Sequence, residues 1–298
     1  MNIVIESPRD NNDLAAFLAK MNVVPSRHIG YCGESKEEIY DTLTSNFSDL
    51  NLANSFMVAY EEKEIVAAIG LDVDLEDRSA EVWGPFVSEE FIHTDLVNKL
   101  WEKVTALSAS QVDRYNFFLN RENAYAKEFS VSQGGKSQGQ HTVLTAKKNE
   151  WKGTIEEEGV IEYNSAYADG FAELHRQAFP STYYSVQTIL KRLSEKKKLF
   201  IATRDDQLTG YVYIEVAPQH GEGSIEYIAV SDRFRRQGIG KKLLTFAMGK
   251  LLAYEEIEEI SICVENENEI SIRLYQAAGF KVKHELIHLI IDKKAVVL

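Results

Sequence analysis

Cysteine is nearly absent from this chain: Cys32 and Cys263 are the only two among 298 residues. Two thiols so far apart supply neither a disulfide framework nor zinc-type spacing. The seven histidines are not read as metal ligands, and no metal is expected. Long apolar runs are missing too. The longest, such as residues 65–71, are strand-sized and fall well short of the ~18 residues a membrane span needs. The opening M-N-I-V-I-E-S-P-R-D has neither the basic start nor the apolar core of a secretory leader. The reading is a cytoplasmic chain without a membrane partner.

Positive charge is also in short supply. With 33 Lys and Arg against 46 Asp and Glu, the net charge is −13. Binding a phosphate backbone demands the opposite sign, so nucleic acid is excluded as a partner. Most of the excess falls in residues 1–150, where 14 basic residues face 24 acidic ones. Such a field suits a cationic substrate, or simply keeps the protein soluble. What remains is ordinary globular composition, 44% apolar and 27% charged, at a length that suggests two domains of ~150 residues.

The order of elements repeats. In the first half, strands are expected at 2–5, 55–60, 65–73, 80–87, 115–119 and 141–146. Helices fall through Leu14, Phe17 and Leu18, then at 36–47, 96–107 and 123–129. In the second half, strands are expected at 160–163, 199–203, 210–216, 224–230, 257–264 and 280–291. Its helices run through Phe171, Leu174 and Ala178, then at 186–193, 238–252 and 269–278. Val230-Ser231 matches Val87-Ser88, and Asn268, Ser271, Leu274 and Gly279 match Asn123, Ala126, Phe129 and Gly134 at a constant offset. A tandem duplication accounts for this, with domains at 1–150 and 155–298 and a charged linker near 150–158.

The copies differ where chemistry belongs. Between a β-branched strand and a helix of strong apolar period, the second half carries R-F-R-R-Q-G-I-G-K-K. Glycine removes the Cβ that would block a phosphate from the backbone, and amide N–H groups at a helix start favour an anion. Lys241 and Lys242 in the first helical turn oppose the helix dipole unless an anion compensates. The third glycine of a dinucleotide fingerprint is missing, since that position is Leu243, and the P-loop string does not occur. Opposite Arg235, Gly238 and Gly240 the first half has Ile92, Asp95 and Val97, and opposite Tyr275 it has Ser130. The first copy keeps the frame and is not expected to bind the anion.

R-R-Q-G-I-G after I-A-V, with N-x-x-S-x-x-L-Y-x-x-x-G-F some thirty residues on, resembles the GNAT superfamily of acyl-CoA-dependent N-acetyltransferases. The resemblance covers residues 155–298 by element order and is specific within 224–280. It implies an α/β (α+β) fold of two tandem GNAT-like domains, each a mixed, mostly antiparallel twisted sheet flanked by helices. It implies acetyl-CoA as donor co-substrate and direct transfer of acetyl to a primary amine, small-molecule or peptide, in a ternary complex.

By position, the resemblance puts Arg235, Arg236, Gln237, Gly238, Ile239, Gly240 and Lys241 at the CoA pyrophosphate. Ile228, Ala229 and Val230 then offer main-chain groups to the pantetheine arm, Asn268 hydrogen-bonds the same arm, and Tyr275 protonates the departing thiolate. Independently, spacing i, i+3, i+7 puts Asn268, Ser271 and Tyr275 on one helix face, with Ile270, Leu274 and Ala277 on the other. Amine acetylation also needs a proton acceptor. Glu226 is the candidate, because strand alternation puts Ser224, Glu226, Ile228 and Val230 in one direction. A carboxylate held in an ion pair is the alternative.

His175, Tyr183 and Tyr184, around the loop 181–185, sit where the family places its acceptor. The tyrosine rings suit a cation, or are exposed loop aromatics. Cys263 reads as a buried strand residue. The last strand, 280–291, runs on without the loop many relatives have there, leaving open whether the first half helps shape the acceptor site. Oligomeric state and acceptor identity are left open as well. Mycothiol synthases resemble this tandem architecture too, so transfer in small-thiol or amino-sugar metabolism is a second reading. A CoA-binding regulatory module without turnover is a third.

Overall fold

A computed structural model describes residues 3–45, 47–154, 158–180 and 182–293. The middle of the expected linker and Ser181 of the expected acceptor loop lie outside those residues. The chain forms two compact units, residues 1–141 with 284–298, and residues 142–283.

In chain order the first set of elements is β1 (Ile3–Glu6), α1 (Asn11–Asn22), α2 (Lys36–Ser45), the single turn α3 (Leu52–Ser55), β2 (Phe56–Glu61), β3 (Glu64–Asp74), β4 (Ser79–Val87), α4 (Leu96–Leu107), β5 (Arg114–Asn120), α5 (Ala124–Ser132) and β6 (Lys136–Lys147). The second set is β7 (Val160–Glu162), α6 (Ala168–Ala178), α7 (Val186–Arg192), β8 (Lys197–Arg204), β9 (Gln207–Ala217), β10 (Glu222–Val230), α8 (Ile239–Leu252), β11 (Glu259–Glu265), α9 (Glu269–Ala277) and β12 (Lys281–Asp292). Apart from α3 the two sets run in the same order, as the sequence repeat requires. No helix among the described residues is long and apolar enough to cross a membrane.

Each unit has a mostly antiparallel sheet with one parallel neighbour. In the first, β1 to β4 pair antiparallel in sequence order, and β4 then meets β5 in parallel over only three residue pairs, Ser79–Glu81 with Arg114–Asn116. In the second, β7 to β10 pair in the same way, and β10 meets β11 in parallel over four pairs, ending at Ile225 and Ile262. A parallel pairing that stops mid-strand leaves the rest of both strands to diverge.

The closing strands do not stay with their own halves. Leu286–Asp292 of β12 pairs antiparallel with β5, and Leu289 and Ile291 are buried in the first unit's core. Thr142–Lys147 of β6 belongs to the second unit, where β6 lies beside β11 and buries Leu144 and Ala146. The units therefore depart from the expected division at 150–155. Either strand supplies an apolar face of period two, and that pattern fits one sheet as well as the other.

The second unit has two apolar layers, one on each side of its sheet. On the α8 side Phe246, Met248 and Leu251 of that helix pack with Ile260 of β11 and Tyr275 of α9, among others. Beneath α6 and α7 lie Phe171, Ile189, Tyr211, Tyr213 and Tyr227. Helix α8 is buried along most of its length, which holds its N-terminus rigidly at the end of β10.

Candidate active site

Strand β10 changes face at one residue. Ile225 packs in the α8 layer, whereas Tyr227 and Ala229 pack in the α6–α7 layer, and Ile228 and Val230 return to the α8 side. Strict alternation would put Ile225 and Tyr227 on the same side. The register to β9 shifts between those two residues, so Glu226 is the extra residue of a β-bulge,. This corrects the expectation that Ser224, Glu226, Ile228 and Val230 share one direction. The carboxylate of Glu226 stays with Ser224 on the α6–α7 side, while Ile228 and Val230 face α8. The bulge falls directly after Ile225, the last β10 residue paired to β11, so the strands part at Glu226.

Past that point β10 keeps its ladder to β9 alone. It leads through a 3₁₀ turn (Asp232–Phe234) into the glycine loop. Arg236 at φ 62° and Gly238 at φ 81° are both left-handed. The cap of α8 is Gly238, with no side chain to satisfy the first helical amides. Such alternation of hands turns successive N–H groups toward one point, a shape that receives anions. Arg233, Arg235, Arg236 and Lys241 are all exposed around it. Of these, Arg235 is tied to Asp232 at 2.8 Å, while Gln237 accepts from Arg204 at 2.7 Å. A Cβ on Gly240 would come within 3.5 Å of Leu274, so α9 packs close to this helix start.

The equivalent first-unit segment has no positive-φ residue between 88 and 96, carries Glu89 and Glu90 in its 3₁₀ turn, and starts α4 from Asp95. Carboxylates at that position repel phosphate. Its shape and charge do not fit the anion; those of the second unit do.

On α9, Asn268 caps the helix by accepting from the Ser271 amide at 3.2 Å and is itself exposed. Tyr275 is buried in the α8 layer, its ring 6.2 Å from that of Phe280. Burial pushes the Tyr275 hydroxyl up to about 12, with a hydrogen bond to Ser271 opposing, so it carries its proton at neutral pH. The expected core face of α9 is rotated, however. Ile270 is 77% exposed, and Ile272, Leu274, Tyr275 and Ala278 pack inward instead. Three of those four follow i, i+3 spacing around Tyr275, and a nine-residue helix can bury only one stripe.

The residues expected on the acceptor side gather on the other layer. Glu226 Oε1 accepts from Ser224 Oγ at 2.5 Å and Oε2 accepts from the Tyr183 hydroxyl. His175 is buried with both ring nitrogens engaged: Nε2 donates to the Tyr184 carbonyl at 2.9 Å, and Nδ1 accepts from the Tyr211 hydroxyl at 2.6 Å. Burial lowers its pKa, the Tyr184 bond opposing. His175 thus holds the loop and has no ring nitrogen left for an acceptor.

The two loop tyrosines part company. Arg192 covers the ring of Tyr184 at 4.2 Å, whereas Tyr183 is 60% exposed. Glu215 is neutralised by Arg192 at 2.8 Å and Lys197 at 2.9 Å and accepts from Tyr213 at 2.8 Å. Burial would raise its pKa, and these partners hold it below the usual value.

Sequence reading missed Ser224, Tyr227 and Thr182, which meet Glu226 or its loop only through the bulge and a 2.6 Å bond between Thr182 and the Tyr227 hydroxyl. It also took Cys263 for a buried residue. The residue as a whole is exposed, one position past the last β10–β11 pair. Desolvation at the sulfur itself, then the nearby Glu226 charge, pushes the thiol up to about 12, leaving little nucleophilic thiolate.

The histidines need a correction as well. His284-Glu285-Leu286-Ile287-His288 spells the zinc-protease string H-E-x-x-H, but it lies in β12. That string works on a helix; along a strand the two rings stand ~13 Å apart. His284 instead stacks on His28 at 3.7 Å, and Glu34 joins the pair. His284 Nε2 meets Glu34 at 2.7 Å and its Nδ1 meets the Asn120 amide at 3.2 Å, while His28 Nδ1 meets the Asn22 carbonyl at 2.8 Å. One ligand atom from each of His28, Glu34 and His284 lies within 4.8 Å of the other two, a grouping that could hold a metal ion.

Residues 167–280 match the model of the Acetyltransferase (GNAT) family. A mycothiol acetyltransferase from Acidimicrobium ferrooxidans is 30% identical over 133 residues, 41% of this chain and 43% of that protein. The chain thus matches less than half the length of that relative. A GCN5-related N-acetyltransferase from Sphaerobacter thermophilus superposes with a TM-score of 0.77 at 16% identity, over 99% of this chain and 98% of that one. A tandem GNAT protein from the clavulanic acid biosynthesis pathway superposes at 0.67 with 12% identity, over 99% of both chains. Residues 167–280 thus match the GNAT family of acetyltransferases, and the fold of the chain is shared along its length with GNAT proteins of known structure.

Proposed function

We propose that the chain transfers acetyl from acetyl-CoA to a primary amine by direct attack in a ternary complex, with chemistry confined to the second unit. The observation that carries this is the parting of β10 from β11 at Glu226, next to an uncapped, glycine-bearing helix start. A cofactor bound there supplies an acetyl thioester.

The amides of Arg236 to Lys241 hold its pyrophosphate, assisted by the exposed cations. The free edge of Ile228, Ala229 and Val230 pairs with the pantetheine arm as an added strand would, and Asn268 bonds the same arm. Glu226 and Tyr275 lie on opposite layers of the sheet, and the gap between the diverging strands admits the reacting atoms to both. The amine nitrogen bonds to the thioester carbon, Glu226 takes the proton the nitrogen loses, directly or through water, and Tyr275 gives its proton to the leaving sulfur. Tyr183, exposed beside Glu226, offers its ring face to a cationic acceptor.

The similarity to a mycothiol acetyltransferase favours a second reading in which the acceptor amine belongs to an amino-sugar or small-thiol precursor. Thiol release from acetyl-CoA, followed with a polyamine, an amino sugar and a peptide N-terminus, tests both. Turnover with an amine supports transfer, and the preferred amine separates the two readings. Tight acetyl-CoA binding without thiol release for any amine would make the chain a CoA-binding module instead.

A further inference from the structure

Tyr183 sits in a segment fastened on both sides. Before it, Thr182 Oγ1 is bonded to the Tyr227 hydroxyl at 2.6 Å. After it, the Tyr184 amide donates to the same Tyr227 hydroxyl at 3.2 Å, and the Tyr184 carbonyl accepts from His175 at 2.9 Å. Both anchors are buried, Tyr227 at 3% and His175 at 2% exposure, and His175 is itself locked by Tyr211. A side chain that is 60% exposed would ordinarily sample several rotamers. This one is carried by a fixed backbone and ends on Glu226 Oε2.

We infer that Tyr183 is a positioning residue for Glu226: with Ser224 it clamps the two carboxylate oxygens and fixes their direction. The inference rests on the role of Glu226 as proton acceptor proposed above. Each carboxylate oxygen can accept twice, so the clamp uses one site per oxygen and leaves the others for an amine or a water. The bulge makes the arrangement possible, because it keeps Glu226 on the face where the Thr182–Tyr184 segment lies.

The titratable groups facing the carboxylate are Tyr183 and Tyr184 from the loop, Tyr227 from its own strand and Cys263 from β11. The thiol and all three phenols have raised pKa values, desolvation of the polar atom being the largest cause in each. At neutral pH none of them is charged. On β9, Glu215 stands opposite Ser224 in register, with its charge already met by Arg192 and Lys197.

The test uses the full chain with ¹³C-labelled Glu, the Glu226 carboxyl signal being assigned by its loss in Glu226→Gln. In Tyr183→Phe, which keeps the ring and removes the hydroxyl, that signal is expected to move in chemical shift at fixed pH, because a hydrogen bond to Oε2 has gone. kcat for the acceptor should fall about tenfold with its KM within about twofold. Tyr227→Phe, which leaves the Tyr183 hydroxyl but loosens its backbone, should move the signal and kcat the same way by less. Melting temperature is followed for both variants.

An unmoved carboxyl signal in a folded Tyr183→Phe protein overturns the inference. If the signal moves but kcat does not, and Glu226→Gln keeps the parent's kcat, the clamp stands and the assignment of Glu226 as base falls.

Discussion

Ile225 and Ile262 are the last residues that β10 and β11 hold in register. One position on, Glu226 bulges out of the β9 ladder and Cys263 is left exposed on the diverging strand. The geometry of the second unit follows from that pair. A ladder continued through Glu226 and Cys263 would close the edge on which an extended ligand can lie, and without the bulge Tyr227 would face α8 instead of anchoring the acceptor loop.

If Glu226 takes the amine proton, Glu226→Gln keeps size and hydrogen bonding but removes the base. The expected fall in kcat/KM for the acceptor is 10²-fold or more, with acetyl-CoA affinity within about twofold of the parent. Steady-state kinetics at fixed pH check this, and a Glu226→Gln protein with the parent's kcat/KM would contradict the assignment.

Tyr275→Phe separates packing from proton donation. The ring stays in the α8 layer, so the melting temperature should hold, while kcat falls on the order of 10- to 100-fold. Removing the ring in Tyr275→Ala should in addition cost about 3 kcal/mol of stability, read from denaturant unfolding. Equal activity of Tyr275→Phe and the parent would make Tyr275 a core residue only.

Gly238 is the cradle position where a side chain is most costly. A Cβ added there would meet no heavy atom within 4 Å, so crowding is not the obstacle; its φ of 81° is. A β-branched residue disfavours that region by about 1–2 kcal/mol. Gly238→Val should therefore turn the loop away and weaken acetyl-CoA binding about tenfold, while the amine KM changes little. Calorimetric titration measures the first and initial rates the second.

These features were unequally visible in the sequence. The glycine loop, the apolar period of α8 and the position of Tyr275 are local, and they could be read residue by residue. The order of elements was legible because it occurs twice. The bulge was not, since a single extra residue in a strand carries no sequence mark when it is a glutamate rather than glycine or proline. Ile270 looked like core by spacing, yet α9 is anchored through Tyr275 and Phe280, and that rotation depends on tertiary packing. The placement of β6 and β12 was equally hidden, because alternation specifies a buried face without naming the sheet. Truncation at residue 150 is a poor test of the first unit for that reason: it removes β5, with which Leu286–Asp292 pairs.

The first unit carries its own titration signature. Asp72 and Glu81 are register partners on β3 and β4. Burial, then the charges of Asp49 and Asp74, push Asp72 up to about 7; burial, then Asp72 and Asp74, push Glu81 up to about 8. Carboxyls with raised folded values leave stability unaffected below the unfolded pKa of about 4. As pH rises from there through 7 and 8, the native state binds more protons than the unfolded one, so stability is lost, and the loss is complete above pH 8. Asp72→Asn should raise the melting temperature by a few degrees at pH 8.5 and hardly at all at pH 4. A gain that is the same at both values would show that the two carboxyls do not interact with burial as described.

If the duplicated frame retains one donor site, in the loop from Arg235 to Lys241, isothermal titration of the full chain with acetyl-CoA will give one site per chain. That site should be lost in Gly238→Glu and kept when Asp95 is changed to Gly in the first unit. Two sites per chain, or binding that survives Gly238→Glu, would contradict that reading.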